Sequence, residues 1–234
     1  MWKYFFSGCL LLASLAAVAQ EKTAKDTTRL KFVPTGLRLG TDLLSIVRSQ
    51  TGTKFSGWEA HADIDFTRYY LTAEYGSWNS NITLKNGAYG NEGTYWRIGA
   101  DVNFLLKDPD RNMFFLGMRY GRSAYDQTLA LRYTDAVFGQ VEKSLVAPNV
   151  EASWKELTGG LRVKVWKWIW MGYTARFKFG MNAKNEGNIK SYDVPGYGLT
   201  IKNNTWGFNY QLFVRLPIRK EKGKNLLSSE KQTQ

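Results

Sequence analysis

From Gly36 to Pro217 apolar and polar residues change places one by one, in stretches of about ten residues separated by clusters of turn formers. Successive side chains on a strand point to opposite faces, so each stretch describes a strand with one apolar face and one polar face. Trp58, Ala60, Ala62, Ile64 and Phe66 alternate with Glu59, His61, Asp63 and Asp65. Trp96-Ile98-Ala100-Val102-Phe104 alternates with Arg97, Gly99, Asp101 and Asn103. The pattern returns at 156–165, at 171–179 and at 206–216, and in shorter form at Leu37–Leu43, Leu71–Tyr75 and Phe114–Tyr120. Eight strands follow, each near the 9–11 residues that cross a bilayer at a tilt.

The connections between these strands alternate in length. Short ones fall at Thr67-Arg68-Tyr69, at 107–111 and at Trp166-Lys167-Trp168, and long ones near 47–56, 79–93, 123–152 and 181–205. All long connections then emerge on one side, as in an up-and-down barrel with short periplasmic turns and longer external loops. Aromatics gather where strands meet those two sides. Phe66, Tyr69, Tyr70, Phe104, Phe114, Trp166, Trp168 and Trp170 form one belt, and Trp58, Trp78, Tyr95, Trp96, Tyr125, Trp154 and Trp206 the other. A soluble sandwich with the same residues in its core is the structural rival.

The chain has 234 residues, enough for one such domain. Residues 1–19 carry Lys3, an apolar core from Gly8 to Ala17 and the small residues Ala17-Val18-Ala19, a signal-peptide pattern that predicts export. Residues 20–35 are then an N-terminal periplasmic segment, 36–217 the barrel and 218–234 a basic periplasmic tail. Both termini are expected in the periplasm. Cys9 is the one cysteine; it follows Phe6-Ser7-Gly8 like a lipid-attachment residue, but most of the apolar stretch lies behind it, and cleavage after Ala19 leaves a mature chain without thiol chemistry. No other run reaches the roughly 18 apolar residues a membrane helix needs.

Eight strands enclose only enough space for side chains to fill. On the polar parity lie the acids Asp42, Glu59, Asp63, Asp65, Glu74, Asp101 and Glu156 and the bases Arg38, Arg97, Arg119, Arg162, Lys164, Arg176, Lys178 and Arg215. This near balance predicts a salt-bridged plug rather than an open pore, because buried charge needs a partner. Gly40, Gly76, Gly99, Gly121 and Gly160 share the face and leave room, on this reading, for long arginines. Much of the net charge of +12 then falls in the external loops and the tail 219–224, where it suits contact with lipopolysaccharide headgroups. No motif supports nucleic-acid binding.

Catalysis rests on one residue. His61 is the sole histidine and has Glu59 and Asp63 on its own face, a weak candidate for a lipid-modifying enzyme, with no serine in fixed relation to it. One histidine and no acidic calcium-loop spacing predict no metal site, and no glycine-rich phosphate loop or other cofactor motif occurs. A narrow channel is the remaining alternative. The expected function is therefore a non-enzymatic envelope protein acting through its external loops on a partner protein or surface ligand.

The expected last strand carries Thr205-x-Gly207-x-x-Tyr210-x-Leu212, similar to the pattern by which the barrel-assembly machinery recognises final strands. From Gly36 to Leu216 the chain resembles the small eight-stranded outer-membrane barrels of the OmpA/OmpX type. Leu37-Arg38-Leu39-Gly40-Thr41-Asp42, Gly57-Trp58-Glu59-Ala60, Trp96-Arg97-Ile98-Gly99-Ala100-Asp101 and 116–121 more closely resemble an uncharacterised family of such barrels from Bacteroidota. The resemblance implies an outer-membrane location and brings no activity with it.

Overall fold

The structure is a computed structural model that describes residues 34–218 apart from 53, 107 and 138. The signal peptide, nearly all of the 20–35 segment and the tail beyond 218 lie outside the described residues. In chain order the elements are β1 (Gly36–Asp42), α1 (Leu43–Thr51), β2 (Phe55–Phe66), β3 (Tyr69–Leu84), β4 (Gly87–Asn103), β5 (Met113–Asp135), β6 (Gly139–Trp166), β7 (Ile169–Lys184), β8 (Asp193–Val194), β9 (Gly198–Leu199) and β10 (Asn204–Pro217). Strands β1 to β7 and β10 pair antiparallel with their neighbours, and β1 pairs with β10 to close the ring. The chain is thus the expected all-β, eight-stranded up-and-down barrel, with β8 and β9 forming a small separate sheet.

The register makes the alternation of the sequence into two surfaces. Residues directly opposite in an antiparallel pair share a face, and Arg38 stands opposite Asp63, Glu74 opposite Arg97, and Arg119 opposite Glu156. One parity therefore turns inward around the whole ring. The other leaves Trp58, Leu71, Tyr75, Trp96, Ile98, Met118, Leu157, Leu161, Val163, Tyr173, Phe208, Val214 and Leu216 exposed, an apolar band present on every long strand.

The barrel is taller on one side than the other. Strands β3 to β6 continue past the apolar band, with β4 paired to β5 as far as Gly87 and Leu131, and β5 to β6 as far as Asp135 and Gly139. Two of the four stretches expected as long loops are thus extended hairpins: 79–93 is strand apart from the turn at Lys85 and Asn86, and most of 123–152 is strand. Period-two alternation persists there, but polar residues on both faces hide it once the strands leave the band.

The stretch 47–56 is also not a plain loop. Asp42 ends β1 and caps α1, its carboxylate accepting the amides of Leu44 and Ser45 at 3.3 and 3.2 Å. Such an N-cap followed by Leu43, Ile46 and Val47 at helical spacing starts a helix, so strand 1 stops one residue short of the expected Leu43.

Four of the seven residues expected in the outer aromatic belt face inward. Tyr95, Tyr125 and Trp154 are buried inside the barrel with Trp78 partly buried beside them, and Tyr70 and Trp170 are buried at the other end. Tyr69, Phe104 and Phe114, and Trp58, Trp96 and Trp206, are exposed on the outside and Phe66 is half-buried, while Trp166 and Trp168 are exposed through a bulge after Lys164 and the turn before β7 rather than through their parity. The interior glycines make room for rings more than for arginines: a Cβ would stand 2.4 Å from the Phe213 ring at Gly40, 2.5 Å from the Tyr95 ring at Gly76 and 2.4 Å from the Trp154 ring at Gly121.

Candidate functional site

The inward face holds a continuous ion network. Arg38 Nε lies 2.8 Å from Asp63 Oδ1, and Arg162 Nη1 lies 2.7 Å from Asp63 Oδ2. Arg119 grips Asp101 with both terminal nitrogens, at 2.6 and 2.9 Å. Glu74 receives Arg176 at 2.8 Å and Arg97 at 3.0 Å, and Glu156 receives Arg176 at 3.0 Å. Arg97 also closes on Glu59. Five arginines (38, 97, 119, 162, 176) meet five carboxylates (59, 63, 74, 101, 156), and each of the ten is exposed by 3% or less.

Rings and neutral side chains complete the packing. Arg162 lies between the faces of Phe115 and Phe213, at 4.8 and 4.7 Å, and Arg38 lies over Tyr70 at 4.5 Å. Tyr95 donates its hydroxyl to Glu59 at 2.7 Å, and Trp154 its indole N–H to Glu156 at 2.7 Å. Charges held this way are paired and hydrogen-bonded rather than left facing an open space.

Five sequence-chosen members stand apart from the ten. Arg215 pairs with Asp65 at 2.8 Å near the end where β1 begins. Lys164 leaves the interior, reaching Asp110 in the β4–β5 connection at 2.9 Å with its side chain 32% exposed; it sits one residue from the end of the inward run, where the lysine stem reaches the aqueous rim. Asp42 serves α1, the Tyr210 amide and the Asn209 side chain. Lys178 donates to the backbone oxygens of Gly196 and Tyr197, at 2.7 and 3.0 Å.

His61 lies within the network. Its Nδ1 is 3.1 Å from Glu74 and its Nε2 3.1 Å from Asp63, with the ring edge-on to Phe213. Both nitrogens are engaged, and the hydrogen bonds described bring no hydroxyl to either. Of the serines nearest in sequence, Ser56 bonds to Ser49 on the outside of the rim.

Above the network the segment 185–203 folds into the mouth. Ile189, Val194 and Tyr197 pack with Tyr89, Tyr95, Tyr125, Val150, Ala152 and Trp154 in one apolar cluster. Asp193 anchors it: its carboxylate accepts from Trp78 at 3.2 Å and Asn91 at 3.2 Å, and its backbone oxygen accepts from Tyr89 at 3.1 Å. Burial pushes the Asp193 carboxyl above its ordinary value, against the opposing pull of its hydrogen bonds from Asn91, Trp78 and Ser80. A cleft of about 370 Å³ opens beside this cap, lined by Asp42, Arg48, Glu59, Lys178, Trp206 and Asn209 among others. Among the described residues no group of histidine, cysteine, aspartate and glutamate is arranged to hold a metal ion.

A family model for a domain of unknown function, DUF6048, matches residues 1–221. The chain belongs to the DUF6048 family. No curated protein matches it. Among solved structures, the DUF6048 chain is similar to "Crystal Structure of Acinetobacter baumannii CarO", with 11% identity, 79% of this chain and 98% of that chain covered, and a TM-score of 0.36. A likeness of that size carries no argument about function.

Sequence reasoning missed three parts of the DUF6048 site: the interior aromatics, the cap and α1. The aromatics had a signal, since Tyr95 shares parity with Arg97, and Trp154 with Glu156. The cap had a weaker one in Ile189, Val194 and Tyr197, apolar residues set in an otherwise polar connection. Of the expected assembly signal, Tyr210 and Leu212 point outward on β10, while Thr205 and Gly207 line the cleft.

Proposed function

We propose that the chain is a non-enzymatic outer-membrane barrel whose sealed interior leaves its external face as the working surface, where it binds a partner protein or a surface ligand. The observation that carries this reading is the inversion of an ordinary core: an ionic network exposed by 3% or less inside, and an exposed apolar band on the long strands outside. Such a band suits lipid and would be an aggregation hazard in water. Gly36 pairs with Pro217, so the chain enters and leaves the barrel at the end of the short turns, the periplasmic end in the outer-membrane orientation. This reading agrees with the resemblance to OmpA/OmpX-type and Bacteroidota barrels, and it gives Thr205, Gly207, Tyr210 and Leu212 to recognition by the assembly machinery during insertion.

The tall β3–β6 wall is the surface offered to a partner. Beyond the apolar band its outer face carries the exposed pairs Arg122–Glu151 and Arg132–Glu142, and its basic residues suit anionic lipopolysaccharide. Two measurements test the reading. Membranes washed with carbonate are expected to retain the protein. Replacing 132–142 by a two-residue turn between the paired Leu131 and Lys143 is expected to keep the barrel and abolish co-purification of an envelope component. Carbonate extraction would overturn the location, and undiminished co-purification would overturn the working surface.

A further inference from the structure

The barrel wall is incomplete on its low side. β1 stops at Asp42, opposite Gln211 of β10, and its last partner on β2 is Ala60. Beyond that level β10 continues over 204–210 and β2 over 55–59 with no strand between them. The helix α1 packs against both strands and fills only part of the gap. At the lower margin, Asp42 takes the Tyr210 amide at 3.1 Å, and Thr41 donates to the Glu59 carbonyl at 2.8 Å. The two-residue period of a strand points the amides of Phe208 and Trp206 to the same open edge.

This gap lies in the external half of the apolar band, because Trp58, Trp206, Phe208 and Tyr210 beside it are outward and exposed. A strand edge left open towards hydrocarbon is unfavourable unless something occupies it. The cleft of about 370 Å³ leads through the gap to the inner face of the wall. Among the described residues two cations line it without a carboxylate partner. Arg48 lies over the rings of Phe55 and Trp78, at 4.3 and 5.7 Å. Lys178, buried, spends two bonds on backbone oxygens, and an ammonium has three to give. Gly207 keeps the space over that lysine open, since a Cβ there would stand 3.0 Å from Cε and 3.1 Å from Nζ. The two acids of the cleft are already engaged, Asp42 with α1 and Asn209, and Glu59 with Arg97 and Tyr95.

We propose that this lateral cleft binds a single-chain anionic amphiphile, whose phosphate or carboxylate headgroup meets Arg48 and Lys178 while its hydrocarbon chain leaves through the gap over Trp206 and Phe208. Exposed Leu44, Trp206 and Phe208 at the mouth suit a chain, and the two unpaired cations suit an anion. The proposal rests on the membrane location proposed above and adds a ligand class and a site to it.

Native mass spectrometry of the full protein, released from a non-ionic detergent, tests it with four probes: lysophosphatidic acid, laurate, lysophosphatidylcholine and inorganic phosphate. One lysophosphatidic acid or one laurate per protein is expected, with the choline lipid and inorganic phosphate at least about tenfold weaker. Arg48→Gln and Lys178→Gln are each expected to weaken the anionic amphiphile by about tenfold or more, with heat-modifiable migration on gels showing that the barrel is intact. Should Lys178→Gln fail to fold, Arg48→Gln on the surface helix decides alone. Equal binding of the choline lipid would overturn the anionic headgroup, and equal binding of free phosphate would overturn the amphiphile. Absence of binding by a carbonate-resistant barrel would overturn this site and leave the location standing, whereas carbonate extraction would overturn both.

Discussion

The indole N–H of Trp78 donates to the carboxylate of Asp193 at 3.2 Å, tying the inner face of β3 to a cap residue 115 positions later in the chain. Burial holds that carboxyl above its ordinary value, so the closed cap binds more protons than the open one between the ordinary and the raised pKa. Closure is therefore favoured at low pH and weakens as pH rises through the raised value. Hydrogen exchange over 189–199, corrected for its intrinsic pH dependence, is expected to show stronger protection in mild acid than at neutrality. Asp193→Asn is expected to flatten that difference, and equal protection of the unaltered protein at both pH values would contradict the assignment.

Arg119 and Asp101 are joined by two parallel bonds in the interior. Arg119→Met alone leaves a buried carboxylate short of its partner, and is expected to lower unfolding stability in detergent by about 3–5 kcal/mol. The double change Arg119→Met with Asp101→Leu is expected to recover most of it, since an apolar pair of similar volume replaces both charges. Urea titration followed by gel migration reads both values.

Gly121 lies against the indole of Trp154. Gly121→Val places methyl groups where the ring sits, and is expected to cost about 1–3 kcal/mol through overpacking. The same change should displace Trp154 from Glu156, which it meets at 2.7 Å, giving a red-shifted tryptophan emission. An unshifted spectrum would place Trp154 elsewhere.

His61→Ala removes a partner from both Glu74 and Asp63. A loss of about 1–3 kcal/mol is expected from the two acceptors left short. Release of fatty acid from phospholipid or lipopolysaccharide should be the same for this variant and the unaltered protein, and a difference in turnover would restore His61 as a catalytic candidate.

The shared parity of Arg38, Asp63, Arg97, Asp101, Arg119 and Arg162 was legible in the sequence because a strand places alternate residues on one face, while which face is inside followed only from the alternating loop lengths and the two-ended aromatics. Tyr95 and Trp154 were harder to place, since an aromatic near a strand end suits both an interfacial belt and the interior, and only its parity separates the two. Lys164 shares the inward parity yet turns to the rim, a choice made by its long stem and by Asp110 in a turn whose position the alternation does not specify. Asp42 has the parity of a lumen acid and serves as a helix cap, since the local competition between strand and helix at 42–45 is settled by hydrogen bonds to its carboxylate. The cap over 185–203 depends on contacts with strands distant in the chain, such as Trp154 with Tyr197, Tyr125 with Ser191 and Asn91 with Asp193, which no local pattern encodes.

Planar-bilayer recording on the purified protein tests the sealed interior most directly. Five arginines held against five carboxylates across the lumen predict insertion without current steps, at neutral pH and moderate voltage, from protein shown by protease protection to have inserted. Steady, reproducible conductance steps from the inserted barrel would contradict a closed lumen and return the working part of the molecule to its interior.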